Sequence, residues 1–464
     1  MKPLEREALE QLDRAALVAL ALAQQARIAA LEAQVAALAA RVEELGGAPP
    51  APPAAPAPPA FVKPAKPAKP PQRPRKRRED NFARRRDTPT RVVEHAVATC
   101  PDCGAALRGG EVVRRRQVLH VPPAPVEVVE HVVRRRVCPR CGRAHTPPLD
   151  LGDQVLGHHR VSRETIAYVA ALRAVGRLPL RAIQWLLAAR HGLHLSVGAL
   201  AGLLRAVADR ARPALDQVRQ QIRGSPVVCA DRGPACGCGW REDGANGYVW
   251  VFTTPQACYF HYDHSRAGAV VAEVLGAEYD GVLVSDFYAA YNVHEGDHQR
   301  CWAHLLRDIH DLRLAHAGDA AVAAWADAVH AVYLAAKRVA ASAADGAARV
   351  AARDALDRRL TALCAPHWQP GATAPQATLC QRVDRFLDEL FAFVLDPAIP
   401  ADNNLAERRL RPLVVARKIS GGTRSEDGSR VRMALASLFA TWLAQGRDPF
   451  HACLDLLRQP APTR

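Results

Sequence analysis

The sequence predicts a multidomain protein of the α+β class. At 464 residues the chain exceeds one typical domain, so several hydrophobic cores are expected. Stretches rich in Ala and Leu with helical periodicity occupy the first 46 residues and much of the second half. Between positions 226 and 285, short runs of valine and aromatic residues are instead typical of strands. We divide the chain into seven segments, which end at residues 47, 95, 150, 223, 310, 399 and 464.

The excess of basic residues favours a polyanionic partner such as DNA. The formal net charge is +15 and the sequence pI is near 9.6. More than half of the excess lies in Lys63–Glu94, where twelve Lys and Arg residues stand against four Asp and Glu residues.

Cysteine usage and hydropathy predict a cytoplasmic protein, and the expected DNA partner would associate it with the nucleoid. The twelve cysteines include two Cys-x-x-Cys pairs, which in a soluble chain point to metal binding in a reducing compartment. The apolar residues at the N-terminus are periodic, unlike the continuous apolar run of a signal peptide. No apolar run approaches the ~18–20 residues of a membrane span, so no membrane contact is expected.

Residues 1–47 are predicted to form a helix that self-associates as a coiled coil. Good helix formers dominate, and no Pro after position 3 interrupts them. Mostly apolar residues recur at alternating steps of three and four, as in a heptad seam: Leu17, Ala21, Gln24, Ile28, Leu31, Val35, Leu38, Val42 and Leu45. The alternative is a single helix packed on its own domain. We favour a homo-oligomer because the next segment offers this helix no obvious core.

Residues 48–95 are predicted to be a Pro-rich linker followed by a basic arm. Ala48–Pro71 is rich in Pro and Ala, a composition typical of extended, solvated chain. The basic arm comprises Arg75, Lys76, Arg77, Arg78, Arg84, Arg85 and Arg86. A charge run can serve solubility alone, but here contact with DNA phosphates, without base specificity, is the favoured interpretation.

Residues 96–150 are predicted to form a four-cysteine zinc ribbon. Cys100 and Cys103 form one Cys-x-x-Cys-Gly knuckle, and Cys138 and Cys141 form the second. Such a turn brings two sulfurs to one ion, and the Gly tolerates the backbone conformation that the turn requires. The valines of Val112–Val137 predict a hairpin between the knuckles. A redox function is the alternative, but a redox pair would normally be single.

Residues 151–223 are predicted to form a helical domain of the helix-turn-helix type. Leu178–Leu187 is amphipathic, a break with Gly192 follows, and Ser196 is a good cap for a second helix. This order is typical of DNA-binding helical pairs. Many helical hairpins share it without touching DNA, and the second helix has few polar residues able to read bases.

Residues 224–310 are predicted to form the first part of a catalytic core. Apolar strands end in the carboxylates Asp231 and Asp286, and two further strands and a helix lie between them. This order of elements is the one found in ribonuclease H-like folds. Together with a helical Glu407, two strand-end aspartates can converge on a pair of divalent cations, which phosphoryl transfer to DNA requires.

Cys301 and His304 have the spacing of metal ligands, three residues apart. Two ligands alone do not make a zinc site. A packed cysteine with a hydrogen-bonded histidine is therefore the favoured interpretation of this pair.

The last two segments separate Glu407 from the aspartates and surround it with basic residues. Residues 311–399 are Ala-rich and are predicted to be a helical insertion with a break near Pro366–Pro375. Residues 400–464 complete the core. Five basic residues near Glu407 are candidate DNA contacts: Arg408, Arg409, Arg411, Arg417 and Lys418. An exposed helix face without a DNA role is the alternative.

In this order the motifs resemble the DDE transposases of the insertion sequence 66 family. They are the Cys-x-x-Cys pairs, Ala230-Asp231, Gly247-Tyr-Val-Trp-Val-Phe-Thr-Thr, Ser285-Asp286, Cys301-Trp-Ala-His-Leu and Ala401-Asp-Asn-Asn-Leu-Ala-Glu-Arg-Arg-Leu-Arg-Pro-Leu. The resemblance implies a ribonuclease H-like core that cuts and joins double-stranded DNA at element ends and target. It also implies the triad Asp231, Asp286 and Glu407, which would hold two Mg²⁺ ions, with Mn²⁺ as a substitute.

The sequence departs from this family's pattern after the first aspartate. The family commonly has Glu-Thr there, whereas this chain has Arg232 followed by a Gly- and Cys-rich stretch, before the pattern resumes at Trp240. This change puts a cation beside the expected metal site. The alternative function is therefore a catalytically defective DNA-binding protein or regulator derived from such a transposase. Helper proteins of the same element are further candidate partners.

Overall fold

A computed structural model describes residues 23–30, 32–34, 88–113, 115–119, 124–152, 154–157, 159–232, 240–369 and 371–459. The chain separates into two compact units, Met1–Arg85 and Arg86–Arg464. The Pro-rich linker, the seven basic residues of the arm and the Gly- and Cys-rich stretch at 233–239 lie outside the described residues. In the described part of the chain, no helix is both long enough and apolar enough to cross a membrane.

The first unit is described only at residues 23–30 and 32–34, which are helical and exposed. This agrees with the predicted helix. Gln24 and Ile28 are the seam positions in this part, and the other positions of the predicted seam lie outside it. The coiled coil stays a prediction.

The cysteine-rich segment contains little regular structure. Strands β1 (Arg136–Val137) and β2 (Ala144–His145) pair antiparallel around the second knuckle. The hairpin predicted between the knuckles is wrong for the described residues at 112–135, none of which lies in a strand. Their valines are exposed, Val113 by 90% and Val128 by 82%, so a hairpin here would have no core to cover. Instead Val126 N donates to His191 O over 2.7 Å.

Four helices follow, and the second and third are the predicted helical pair with its break. They are α1 (Arg163–Ala174), α2 (Leu180–His191), α3 (Val197–Arg210) and α4 (Arg212–Arg223). Gly192 ends α2 with φ of 66°, a left-handed conformation that suits glycine. The Ser196 hydroxyl caps α3 by accepting from Ala199 N over 3.0 Å.

A mixed sheet forms the centre of the second unit. Its strands are β3 (Val227–Arg232), β4 (Trp240–Glu242), β5 (Ala245–Thr253), β6 (Cys258–Asp263), β7 (Val282–Ser285) and β8 (His298–Arg300). The strand order is β4-β5-β3-β7-β8, with β6 also paired to β5. Strands β3, β7 and β8 run parallel, whereas β5 is antiparallel to β3, β4 and β6. The predicted strands and the helix α5 (Ala269–Leu275) before β7 are confirmed.

The remaining helices cover the sheet and continue to the C-terminal region. They are α6 (Trp302–Ala315), α7 (Ala320–Ala340), α8 (Gly346–Cys364), α9 (Ala377–Arg385), α10 (Ala392–Leu395), α11 (Asn404–Ser420), α12 (Glu426–Ala444) and α13 (Pro449–Arg458). The predicted break near Pro366–Pro375 falls between α8 and α9.

Buried side chains form three clusters. One packs α6 to α11 against one face of the sheet, and another packs α4 and α5 against the opposite face. The third joins α1, α2 and α3 to α12 and α13. Helix α12 also covers the free edge of β6, because Ser437 and Thr441 accept from the backbone N–H groups of Phe260 and Cys258. A covered edge cannot pair with another chain.

Candidate active site

The two strand-end aspartates occupy equivalent positions in the register of two adjacent parallel strands. Strand β3 pairs with β7 so that Val227, Val228 and Cys229 face Val282, Leu283 and Val284. Continuing this register by two residues puts Asp231 opposite Asp286. Neighbouring strands lie about 4.8 Å apart, so the two carboxyl groups emerge side by side at one edge of the sheet.

The third acid reaches this edge on α11. Glu407 lies in the first turn of that helix, which packs on β3 and β5. The preceding Asn403 is fully buried and joins three elements. Its Nδ2 donates to Ala230 O over 2.6 Å, and its backbone N–H donates to Cys301 Sγ over 3.1 Å. These bonds tie the start of α11 to the strand that carries Asp231.

The electrostatics of Asp231 indicate that the three acids share one region. The pKa of Asp231 is raised to about 7, mainly by burial and further by the negative charges of Asp286 and Glu407. The Oε1 atom of Glu407 is buried without a hydrogen-bond partner among the described residues. His304 Nε2 lies 3.7 Å from it, too far for a hydrogen bond. A buried acceptor without a donor is costly, and a bound cation would offset that cost.

Arg232 does not point toward the carboxylates. Successive residues of a strand face opposite sides, so Arg232 lies on the other face of β3 from Asp231. Its guanidinium carbon is 4.1 Å from the ring centroid of Tyr288 and 5.3 Å from that of Tyr248. The cation is thus held by aromatic rings. Its charge still lowers the pKa of Asp231, but burial outweighs it.

The basic residues of α11 divide into an exposed set and an inward set. Arg408, Arg411 and Lys418 are exposed. Arg409 and Arg417 are only partly exposed, and their Nε atoms are buried. Arg409 and Arg417 therefore lie toward the packed side of the helix, and DNA contact by any of the five residues stays a prediction.

Cys301 is a packed residue, as expected, but the His304 side chain lacks the expected hydrogen bond, since its Nδ1 is buried without a partner among the described residues. It is fully buried, and burial raises the pKa of its thiol to about 11. Its sulfur accepts from the backbone of Asn403. His304 lies on the next turn and contacts Glu407. The contact between His304 and Glu407 is a feature that sequence reasoning missed.

Each cysteine knuckle has the conformation expected of a metal-binding turn. Gly104 and Gly142 have φ of 71° and 68°, and their N–H groups donate to Cys100 O and Cys138 O over 2.9 Å. Backbone N–H groups of Asp102 and Cys103 lower the pKa of the Cys100 thiol, and those of Cys141 and Arg140 do so for Cys138. These donors favour the thiolate form, which is the form that binds zinc.

The structure does not gather the four cysteines, or the three acids, into one tight cluster. In the described residues, the one set of three His, Cys, Asp or Glu ligand atoms within 4.8 Å of one another is His261, Asp263 and Glu273. The knuckles are thus two separate pairs of sulfurs. The three acids share one edge of the sheet at a wider spacing.

Relatives in Sinorhizobium fredii (strain NBRC 101917 / NGR234) resemble parts of this chain. The uncharacterized protein y4qI is 25% identical over 322 residues, which make up 63% of this chain and 58% of y4qI. The uncharacterized protein y4jO is 39% identical over 79 residues, or 17% of this chain and 25% of y4jO. The matches thus span little more than half of y4qI and a quarter of y4jO.

Two family models match the chain in the order of its segments. Residues 98–142 match the zinc-finger binding domain of transposase IS66, which supports structural zinc at the knuckles. Residues 158–431 match the model described as Transposase IS66 family, and this match covers more than half of the chain and all three acids. The chain therefore belongs to the IS66 family of transposases.

Proposed function

We propose that this protein is a DDE transposase that binds the ends of its element and catalyses metal-dependent DNA cleavage and strand transfer. The observation that carries the proposal is the shared edge of Asp231, Asp286 and Glu407. Two strand-end acids and one helical acid on a mixed sheet are the arrangement expected of a ribonuclease H-like core. Carboxylates near DNA repel phosphate, so their presence here makes sense if cations lie between them.

The three acids fit a pair of Mg²⁺ ions. Carboxylate oxygens are the ligands that Mg²⁺ and Mn²⁺ prefer. The unpartnered Oε1 of Glu407 and the raised pKa of Asp231 both mark negative charge that lacks compensation from the protein. When bound, the ions supply charge that activates an attacking oxygen and stabilises a leaving oxygen.

The protein's own residues would position this site. Asp231, Asp286 and Glu407 would together hold the ions. Asn403 fixes the helix of Glu407 against the strand of Asp231. His304, on α6, lies 3.7 Å from Glu407 Oε1 through its Nε2 atom.

DNA would be held mainly through its phosphates. Arg408, Arg411 and Lys418 form an exposed basic stripe on the helix that carries Glu407. The basic arm at residues 75–86 would add contacts without base specificity. Helices α2 and α3 are the candidate elements for contact with a groove.

Zinc and self-association complete the proposal. One structural zinc ion would join Cys100, Cys103, Cys138 and Cys141, and this requires the two knuckles to approach. Residues 17–45 would form a coiled coil between copies. If light scattering gives the same mass with and without residues 1–46, that segment is not the oligomer contact.

The rival function is a DNA-binding regulator without catalysis. The Gly- and Cys-rich stretch after Arg232 favours the regulator. The Arg232 guanidinium lies over the Tyr288 ring, however, and not among the carboxylates, so it does not occupy the proposed metal site. Incubating supercoiled DNA with the protein and Mn²⁺ separates the two. We expect nicked circles with Mn²⁺ and none with EDTA. DNA that is bound but left intact under both conditions would support the regulator.

A further inference from the structure

A cleft lies between the C-terminal end of α1, the inward side of α11 and helix α12. Its volume is about 100 Å³, room for a few water molecules or one phosphate group. Three arginines line it, namely Arg177, Arg409 and Arg432, and its other lining residues are apolar. No acidic residue lines this cleft. Positive charge without a counter-charge is unusual in a site that is otherwise apolar.

Arg432 is the most buried of the three, with 4% of its surface exposed. Its Nη1 donates to Arg173 O over 2.9 Å, at the C-terminal end of α1. Its Nε is buried and has no hydrogen-bond partner among the described residues. A carbonyl at a helix C-terminus compensates part of the charge. One bond of this kind leaves most of the donors of a guanidinium unused.

The neighbours of Arg432 add to the positive charge. Arg173 is also buried, and its Nη1 donates to Leu178 O over 2.9 Å. Burial, and secondarily the charge of Arg173, lowers the pKa of Arg432 to about 9, so the side chain remains a cation at neutral pH. The Nε atom of Arg409 is likewise buried without a partner in the described chain. Buried cations without a counter-ion are costly, and an anion in the cleft would remove that cost.

We propose that this cleft binds a phosphate group of the DNA backbone through Arg409 and Arg432, with Arg177 at its rim. Guanidinium groups bind phosphate with paired, charge-assisted hydrogen bonds. The choice of DNA as the source of the phosphate rests on the function proposed above. Glu407 and Arg409 lie two residues apart, on nearly opposite sides of α11. This helix would therefore contact DNA on both of its sides.

Inorganic phosphate tests the site without DNA or catalysis. The full-length zinc-loaded protein is unfolded thermally in phosphate and in chloride at equal ionic strength. Ligand binding to the folded state raises the melting temperature. We expect phosphate to raise it for the wild type and for Arg447→Gln, which removes an exposed arginine outside the cleft. The rise should vanish in Arg432→Gln and Arg409→Gln. An equal rise in both cleft variants, or no rise in the wild type, overturns the proposal.

Arg432→Gln could fail to fold because its side chain holds the end of α1. Arg409→Gln is the second variant, since Arg409 makes no such bond, and circular dichroism verifies its fold. The salt dependence of DNA binding then tests whether the phosphate that binds in the cleft belongs to DNA. Loss of one phosphate contact reduces the slope of log affinity against log salt by about 0.9. If Arg409→Gln no longer responds to phosphate but the slope for DNA binding is unchanged, DNA is not the source of the phosphate. A wild type that responds to phosphate but never binds DNA rejects the proposed function and leaves the phosphate site standing.

Discussion

Asn403 donates a hydrogen bond of 2.6 Å from Nδ2 to the carbonyl oxygen of Ala230, the residue before Asp231. This bond joins helix α11, which carries Glu407, directly to strand β3. Two elements that are 173 residues apart in sequence are thereby held in one geometry. The relative position of Asp231 and Glu407 depends on this contact.

Replacing Asn403 with Ala should lower both stability and cleavage. The change leaves the buried carbonyl of Ala230 without this donor, which costs about 1–3 kcal/mol of unfolding free energy. Cleavage should fall further than the loss of folded protein explains, because Glu407 is no longer held against β3. Urea unfolding and nicking of supercoiled DNA measure the two effects.

The matched control is Asn404→Ala, the same substitution at a partly exposed neighbour. Its side chain makes none of the bonds described for Asn403. Equal losses in the two variants would show that the substitution acts through the helix start and not through the bond to Ala230.

One zinc ion shared by both knuckles requires four sulfurs to meet, whereas the structure does not gather them into one cluster. Purified, reduced protein should contain one zinc ion per chain, and X-ray absorption should show four sulfurs at about 2.3 Å. Cys138→Ser should lose the metal, whereas Cys453→Ser, at a buried cysteine of α13, should keep it. Two sulfurs per ion, or two ions per chain, would mean that each knuckle binds metal alone.

The exposed basic stripe of α11 should contribute to DNA affinity in a salt-dependent way. Arg411→Gln removes an exposed charge near Glu407, so the slope of log affinity against log salt should fall by about 0.9. Arg447→Gln removes an exposed charge elsewhere and should leave the slope unchanged. Fluorescence anisotropy over a range of salt concentrations measures both. If the slope for Arg411→Gln changes no more than the slope for Arg447→Gln, Arg411 is not a DNA contact.

Strands and caps were predictable because their signals are local. The apolar run before Asp286 and the capping serine at Ser196 need no distant partner to be recognised. The hairpin predicted from the valines between the knuckles was wrong. Residues with strand propensity form a strand when they have a surface to pack on, and this segment has none in the described residues. The seam of the coiled coil and the basic arm stay predictions, since they lie largely or wholly outside the described part of the chain.

The side-chain arrangement of the site was less predictable. A run of arginines predicts an exposed face, yet the helix turns Arg409 inward and Arg408 outward. Likewise, strand alternation could have placed Arg232 away from Asp231, but its contact with Tyr288 depends on the fold of distant residues. Asn403 precedes a predicted helix, a position that usually indicates a cap. Its bond to Ala230 arises only when α11 packs on the sheet.

The most direct test of the account compares Glu407→Gln with wild type in DNA cleavage and in DNA binding. Gln keeps the shape of the side chain and removes the charge proposed to hold a cation, and Glu426→Gln, at an exposed position of α12, is the matched control. Without metal, DNA affinity should be unchanged or slightly higher in Glu407→Gln. With Mg²⁺ or Mn²⁺, nicking should fall to background in this variant alone. If the wild type and Glu407→Gln nick DNA equally well, Glu407 is not the third acid and the proposed site is wrong.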